Sequence, residues 1–167
     1  MSKIDIPWSR PEIREEEFDQ VIDSFKKDWL TMGPKVEKFE RAMAEYLNVP
    51  YAVAVSNGTV ALDISLKILG VGPGDEVIVP AMTYIATAAA VSYQNAVPVF
   101  VDIEPQSYNL DPSKIKAAIS PRTKGIIYID YGGNPADYDG LKKSAGENGL
   151  FLLQDAAQSL GAIYKGS

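Results

Sequence analysis

Glu76-Val-Ile-Val79, residues 84–93 and Val97-Pro-Val-Phe-Val101 follow one another as a short apolar run, a longer amphipathic run and a second short apolar run. Strand, helix and strand in that order form the unit from which a parallel sheet is built, because two parallel strands need a crossover between them. The same alternation extends outward in both directions. Upstream, an apolar run at 51–55 precedes a helical pattern at 60–69. Downstream come a helical pattern at 112–119, an apolar run at 125–129, a helical pattern at 138–147 and an apolar run at 150–154, with a last strand expected at 162–164. Gly125-Ile-Ile-Tyr-Ile129 is almost continuously apolar, as a strand buried on both faces should be. The fold class expected is therefore α/β, with a mostly parallel sheet covered by helices on both sides in three α/β/α layers.

The first fifty residues read differently. Ser9-Arg-Pro-Glu12 offers a capping serine, an early proline and a glutamate at capping-box spacing, so a helix is expected from there toward Trp29, carrying Ile13, Phe18, Val21, Ile22 and Phe25 at helical intervals. A second helix is expected at 36–47, with Phe39, Met43, Tyr46 and Leu47 on one side. Trp29-Leu-Thr-Met-Gly-Pro34 reads as the loop between them.

Composition narrows the chemistry. The 167 residues carry a formal net charge of -6 with no basic block, which points away from nucleic acid. No apolar run has the length of a membrane span, and the first ten residues lack the layout of a signal peptide, so a cytoplasmic location is the expectation. There is no cysteine and no histidine, which removes thiolate chemistry, imidazole acid–base catalysis and the commonest transition-metal ligands. Catalysis would have to use Lys, Asp, Glu, Tyr, Ser or Thr, or a cofactor.

Three features could hold one. Ser56-Asn-Gly-Thr59 follows an apolar run and opens a helix; exposed N–H groups there, with a glycine permitting close approach, suit a phosphate, and the same residues also suit an ordinary helix cap. Asp155 ends an apolar strand, at the sheet edge where open α/β folds bind ligands, and reads equally as a cap or loop carboxylate. Tyr84 lies just past another strand end, placed either to stack on a flat ring or to fill the core. The standard dinucleotide and P-loop motifs are absent: Gly70-Val-Gly-Pro-Gly74 lacks a correctly spaced third glycine. A phosphate cradle, an aromatic plate and an acid are together what a phosphorylated pyridine cofactor requires.

These blocks resemble, in order, those of the DegT/DnrJ/StrS aminotransferases, which use pyridoxal 5'-phosphate on nucleotide-linked keto-sugars. The resemblance runs through Pro7-Trp-Ser-Arg-Pro11, Trp29–Pro34, Ser56-Asn-Gly-Thr-Val-Ala-Leu62, Gly72–Pro80, Pro98-Val-Phe-Val-Asp-Ile103, Pro121-Arg-Thr-Lys-Gly125, Gly133-Asn-Pro-Ala-Asp-Tyr-Asp139 and Gln154-Asp-Ala-Ala-Gln158. It implies the large, cofactor-binding domain of the aspartate-aminotransferase fold over 1–167, left incomplete, with 1–50 as an N-terminal helical segment and without the C-terminal small domain. It implies that Gly58 and Thr59 hold the cofactor phosphate, that Tyr84 stacks on the ring, that Asp155 pairs with the ring nitrogen and that Gln158 bonds the ring hydroxyl. Thr31 and Gly33 would face the substrate. So would Asp130, which stands where the family usually has histidine. The resemblance further implies a homodimer and glutamate as amino donor; composition and hydropathy give the expectation of no nucleic-acid or membrane partner and no metal.

The lysine that holds the cofactor covalently in this family would fall beyond Ser167. The chain is therefore expected to bind cofactor without a covalent bond at most, and to be inactive in transamination by itself. Lys124, Lys142, Lys143 and Lys165 match no catalytic position. Because the family also includes sugar dehydratases that carry histidine in place of that lysine, a dehydratase remains an alternative, as does a non-catalytic protein that binds a phosphorylated ligand.

Overall fold

The computed structural model describes residues 10–27 and 30–166, and the chain divides into two compact units, 1–54 and 55–167. In the first unit, α1 spans Glu15–Lys26 and α2 spans Pro34–Tyr46. The expected early start of α1 is not observed: residues 10–14 are not helical, and the cap is provided at Arg14, whose N–H donates to Glu17 Oε2 at 2.6 Å. A glutamate at the third helical position reaches back to the capping amide there, which displaces the start by one turn from the pattern at Ser9. Ser9 itself and Trp29 lie outside the described residues. Residues 30–33 form the expected loop, and Pro34 starts α2 at a position where its missing N–H costs nothing. Neither helix buries a residue; Phe18, Val21, Ile22 and Phe25 of α1 are all exposed.

The second unit is built on four parallel strands, β1 (Glu76–Pro80), β2 (Val97–Val101), β3 (Thr123–Ile129) and β4 (Phe151–Asp155), in the order β2-β1-β3-β4. Ile78 of β1 lies opposite Val99 of β2 and Ile126 of β3, and Ile127 lies opposite Leu153 of β4. Four helices connect and cover them: α3 (Gly58–Ile68), α4 (Ile85–Tyr93), α5 (Pro112–Ala118) and α6 (Tyr138–Glu147). Successive strand residues point to opposite faces, and both faces are filled. Val77, Val79 and Ile127 pack with Leu62, Leu66, Ala90 and Val91 of α3 and α4. Ile78, Ile126 and Tyr128 pack with Ile115, Leu141 and Ala145 of α5 and α6. That is the three-layer arrangement expected from the apolar runs. Pro98, which can donate no ladder bond, sits in the edge strand β2.

Two expected strands do not form. Residues 51–55 are not in a strand: none of them enters the four-stranded ladder, and Tyr51 and Val53 remain highly exposed. Residues 162–164 are not a strand either. Gly161, at φ +86°, turns the chain, the Ala162 N–H closes on Ser159 O at 2.8 Å, and the Tyr164 hydroxyl is anchored at Asp137 Oδ1. No helix among the described residues is long and apolar enough to cross a membrane.

The entry to β1 is held by Glu76, which is buried and accepts hydrogen bonds from the Ser120 hydroxyl and the Arg122 guanidinium. The Ser120 bond, followed by Arg122, holds the Glu76 carboxyl below its ordinary value of 4.5. Its contribution to stability is therefore complete above pH 4.5 and disappears as pH falls through the lower folded-state value. Thermal midpoints measured from pH 7 to pH 3 should fall less steeply in Glu76→Gln than in the parent over the acid limb. On the neighbouring strand, a β-carbon at Gly125 would collide with the Phe151 ring. Gly125→Ala should cost about 1–3 kcal/mol in urea unfolding, and Phe151→Leu should remove part of that penalty in the double variant.

Candidate functional site

Parallel strands deliver all their carboxyl ends to one edge of the sheet, and the candidate residues collect there. Tyr84 caps α4 shortly beyond β1, and Asp155 is the last residue of β4. Asp130 follows β3, and Gln158 lies in the turn after β4. Tyr84, Asp130, Asp155 and Gln158, with Thr83, Ile129 and Ala157, line one open notch of about 50 Å³. Tyr84 is 75% exposed, so its ring is not a core residue and is open to a ligand. The Asp155 side chain accepts from Ala157 N–H at 3.1 Å through Oδ1, which orients the carboxylate. Gln158 accepts from Gly132 N–H at 2.7 Å through Oε1. Its Nε2 is thereby left as a donor for a ligand oxygen.

Gly58 and Thr59 form the first turn of α3. Asn57 caps this helix: its side chain accepts from Val60 N–H at 3.0 Å and its carbonyl from Ala61 N–H at 3.1 Å. The capping reading is thus realised, but it uses only those two amides. The N–H groups of Gly58 and Thr59 have no partner among the described residues, and a β-carbon at Gly58 would meet nothing within 4 Å. Gly58 and Thr59 are not among the residues that line the notch. Two free amides at the start of an 11-residue helix, with the helix dipole behind them, carry partial positive charge there.

Thr31 and Gly33 belong to the first unit. They line a separate cleft of about 110 Å³ with Ser24, Lys27, Pro34 and Lys35.

Asp130 is only 5% exposed and its carboxylate is fully engaged. Oδ1 accepts from Ala136 N–H at 2.9 Å; Oδ2 accepts from Gln154 Nε2 at 2.6 Å and Ser159 Oγ at 2.7 Å. It ties β3, β4 and the turns after them into one back wall for the notch. Beside it, burial foremost and then the Asp130 charge raise the Tyr128 phenol above its ordinary value, so Tyr128 stays a neutral core residue. Gln154, Ser159 and Asn109 carry this wall together with Asp130, and the sequence contains no motif that marks them as partners across 24 to 29 positions.

No lysine among the described residues lines the notch. Lys124 and Lys143 make long surface ion pairs at 3.9 Å with Asp75 and Glu147, Lys142 lies over the Tyr138 ring, and Lys165 pairs with Asp139. These are surface charges.

Comparison with known proteins decides the kinship of this arrangement. Residues 11–167 match the DegT/DnrJ/EryC1/StrS aminotransferase family. The chain belongs to that family. It is 41% identical over 160 residues to the spore coat polysaccharide biosynthesis protein SpsC of Bacillus subtilis, covering 96% of this chain and 41% of SpsC. It is 49% identical over 135 residues to a UDP-2-acetamido-2-deoxy-3-oxo-D-glucuronate aminotransferase of Pseudomonas aeruginosa, covering 81% of this chain and 38% of that enzyme. Among solved structures it resembles NtdA of Bacillus subtilis with bound cofactor PMP, at a TM-score of 0.85 and 38% identity, covering 88% of this chain and 34% of that one. The chain spans about two fifths of the length of the curated relatives it matches. The sugar-aminotransferase kinship and the fold expected from the sequence are both shown.

The Asp130 bonds yield a stability prediction. Asp130→Ala would strand the Gln154, Ser159 and Ala136 donors in a buried wall, and should lower the free energy of unfolding by roughly 3 kcal/mol in urea titration.

Proposed function

We propose that this chain supplies the cofactor-facing residues of a pyridoxal-phosphate-dependent aminotransferase acting on a nucleotide-linked keto-sugar. The observation that carries the reading is the meeting of an exposed aromatic ring, a strand-end carboxylate and a free amide donor in one notch at the carboxyl edge of a parallel sheet. The residues present fit the group. Gly58 and Thr59 would hold the phosphate with their unpaired N–H groups. Tyr84 would stack on the ring. Asp155 would keep a proton on the ring nitrogen, and Gln158 Nε2 would donate to the ring hydroxyl oxygen, helping to orient the ring. Bound there, the cofactor would supply an electron sink for chemistry at the carbon bearing the amino group.

Because no lysine among the described residues lines the notch, the chain as it stands would hold the cofactor by these contacts alone. Glutamate is the amino donor this reading expects. A second copy of the chain is its expected partner, with the exposed apolar residues of α1, Phe18, Val21, Ile22 and Phe25, as available surface. Thr31 and Gly33 are the residues of the first unit that this reading assigns to the substrate, and Asp130 is the residue it assigns in the second unit.

Titration with pyridoxal phosphate, followed by absorbance and by tyrosine and tryptophan fluorescence, tests the reading. Saturable binding is expected, abolished or greatly weakened in Asp155→Ala and weakened less in Tyr84→Ala, with no mass increase after borohydride reduction. Equal affinity in the parent and both variants would place the cofactor elsewhere.

A further inference from the structure

Asn109 lies outside the notch and is 2% exposed, the side chain of a polar residue sunk into the core. Reaching that position costs backbone strain: the preceding residue, Tyr108, is held at φ +61°, a region that a bulky side chain rarely adopts. The loop is tied around it, with Glu104 N–H bonded to Asn109 O at 2.9 Å and Tyr108 N–H to Glu104 O at 2.9 Å. The buried amide then spans a second turn. Tyr131 N–H donates to Asn109 Oδ1 at 2.8 Å, and Asn109 Nδ2 donates to Asn134 O at 2.9 Å. The donor and acceptor are dictated by the backbone, since an N–H can only give and a carbonyl can only receive. No aliphatic residue and no carboxylate satisfies both.

Between these two clamped ends sits Gly132, at φ +63°, whose N–H holds Gln158 Oε1 at 2.7 Å. Gly133 follows at φ +83°, where a β-carbon would come within 3.0 Å of Gln158 O. The tyrosine rings at 108 and 131 pack at 5.8 Å, joining the two turns a second time.

We propose that Asn109 is a positioning residue for the notch: by fixing both ends of the 131–134 turn it sets the Gly132 N–H, which in turn orients the Gln158 amide with Nε2 as the donor offered to a ligand. The proposal rests on the cofactor reading for the identity of that ligand, and on the structure alone for the clamp. At metal sites, partners that orient the liganding side chains typically cost about ten- to a hundredfold in affinity when lost, and an effect at the low end of that range is expected here.

Two measurements on the 167-residue chain test it. In the first, without ligand, amide hydrogen exchange is followed at Gly132 and at Ile127 in the core. Asn109→Ala and Asn109→Asp should each speed exchange at Gly132 at least about tenfold and leave Ile127 protected; Asn109→Asp keeps the acceptor for Tyr131 and loses the donor to Asn134, so it serves should the alanine variant unfold. Unchanged protection at Gly132 in a folded variant overturns the clamp. In the second, pyridoxal phosphate is titrated into the parent, Asn109→Ala, Gln158→Ala and the double variant. The Asn109 change should weaken binding about tenfold in the parent and less than about twofold once Gln158 is gone. Equal losses in both backgrounds would make Asn109 a general structural residue and overturn its action through Gln158. Faster exchange at Gly132 in a series that nowhere binds pyridoxal phosphate would uphold the clamp and overturn the cofactor reading.

Discussion

Burial of β1 and β3 on both faces is the constraint on which the second unit depends. Val77 and Val79 must be covered on one side and Ile78 on the other, and the same holds for Ile127 against Ile126 and Tyr128. Removing these side chains from water is worth about 1.5–3 kcal/mol each, so helices are required on both sides of the sheet. Helices that return the chain between parallel strands leave every strand pointing the same way. All the carboxyl ends then share one edge, and with them Tyr84, Asp130, Asp155 and Gln158. The site is a consequence of how the core is buried.

That edge is stabilised by polar groups whose partners are nearly all provided. Asp130 absorbs three donors from three segments, Asn109 joins two turns, and no buried side-chain polar atom among the described residues lacks a partner. In a low-dielectric wall an unmatched group is costly, so such a network resists distortion and keeps one arrangement. The groups that face the notch contrast with it: the Tyr84 ring and Gln158 Nε2 are unused among the described residues. Satisfied groups behind and unsatisfied groups in front are what a preformed ligand site requires.

The exposed apolar residues point to surface that this chain does not cover by itself. The α1 face of Phe18, Val21, Ile22 and Phe25 is open, and Tyr51 and Val53 are highly exposed. Both belong to a chain that spans about two fifths of its curated relatives.

Alternating apolar runs and helical periods determined the α/β class, the places of the four strands and the helices between them, because strand and helix patterns are local and repeat every two or 3.6 residues. Asn57, Gly58, Tyr84 and Asp155 could be singled out from sequence since each sits close to a strand end or a helix start, whereas Gln158 came only with the family resemblance. Local pattern could not tell that residues 51–55 would find no ladder partner, or that Gly161 and the Tyr164 anchor would turn 162–164 away from a strand, since pairing depends on which segments become neighbours. Nor could it reveal Asn109 reaching 22 positions ahead to Tyr131, or Asp130 meeting Gln154 and Ser159. An apolar residue declares its burial by its chemistry, whereas a polar residue is buried only if distant donors and acceptors arrive around it, and that meeting is decided by the tertiary structure alone.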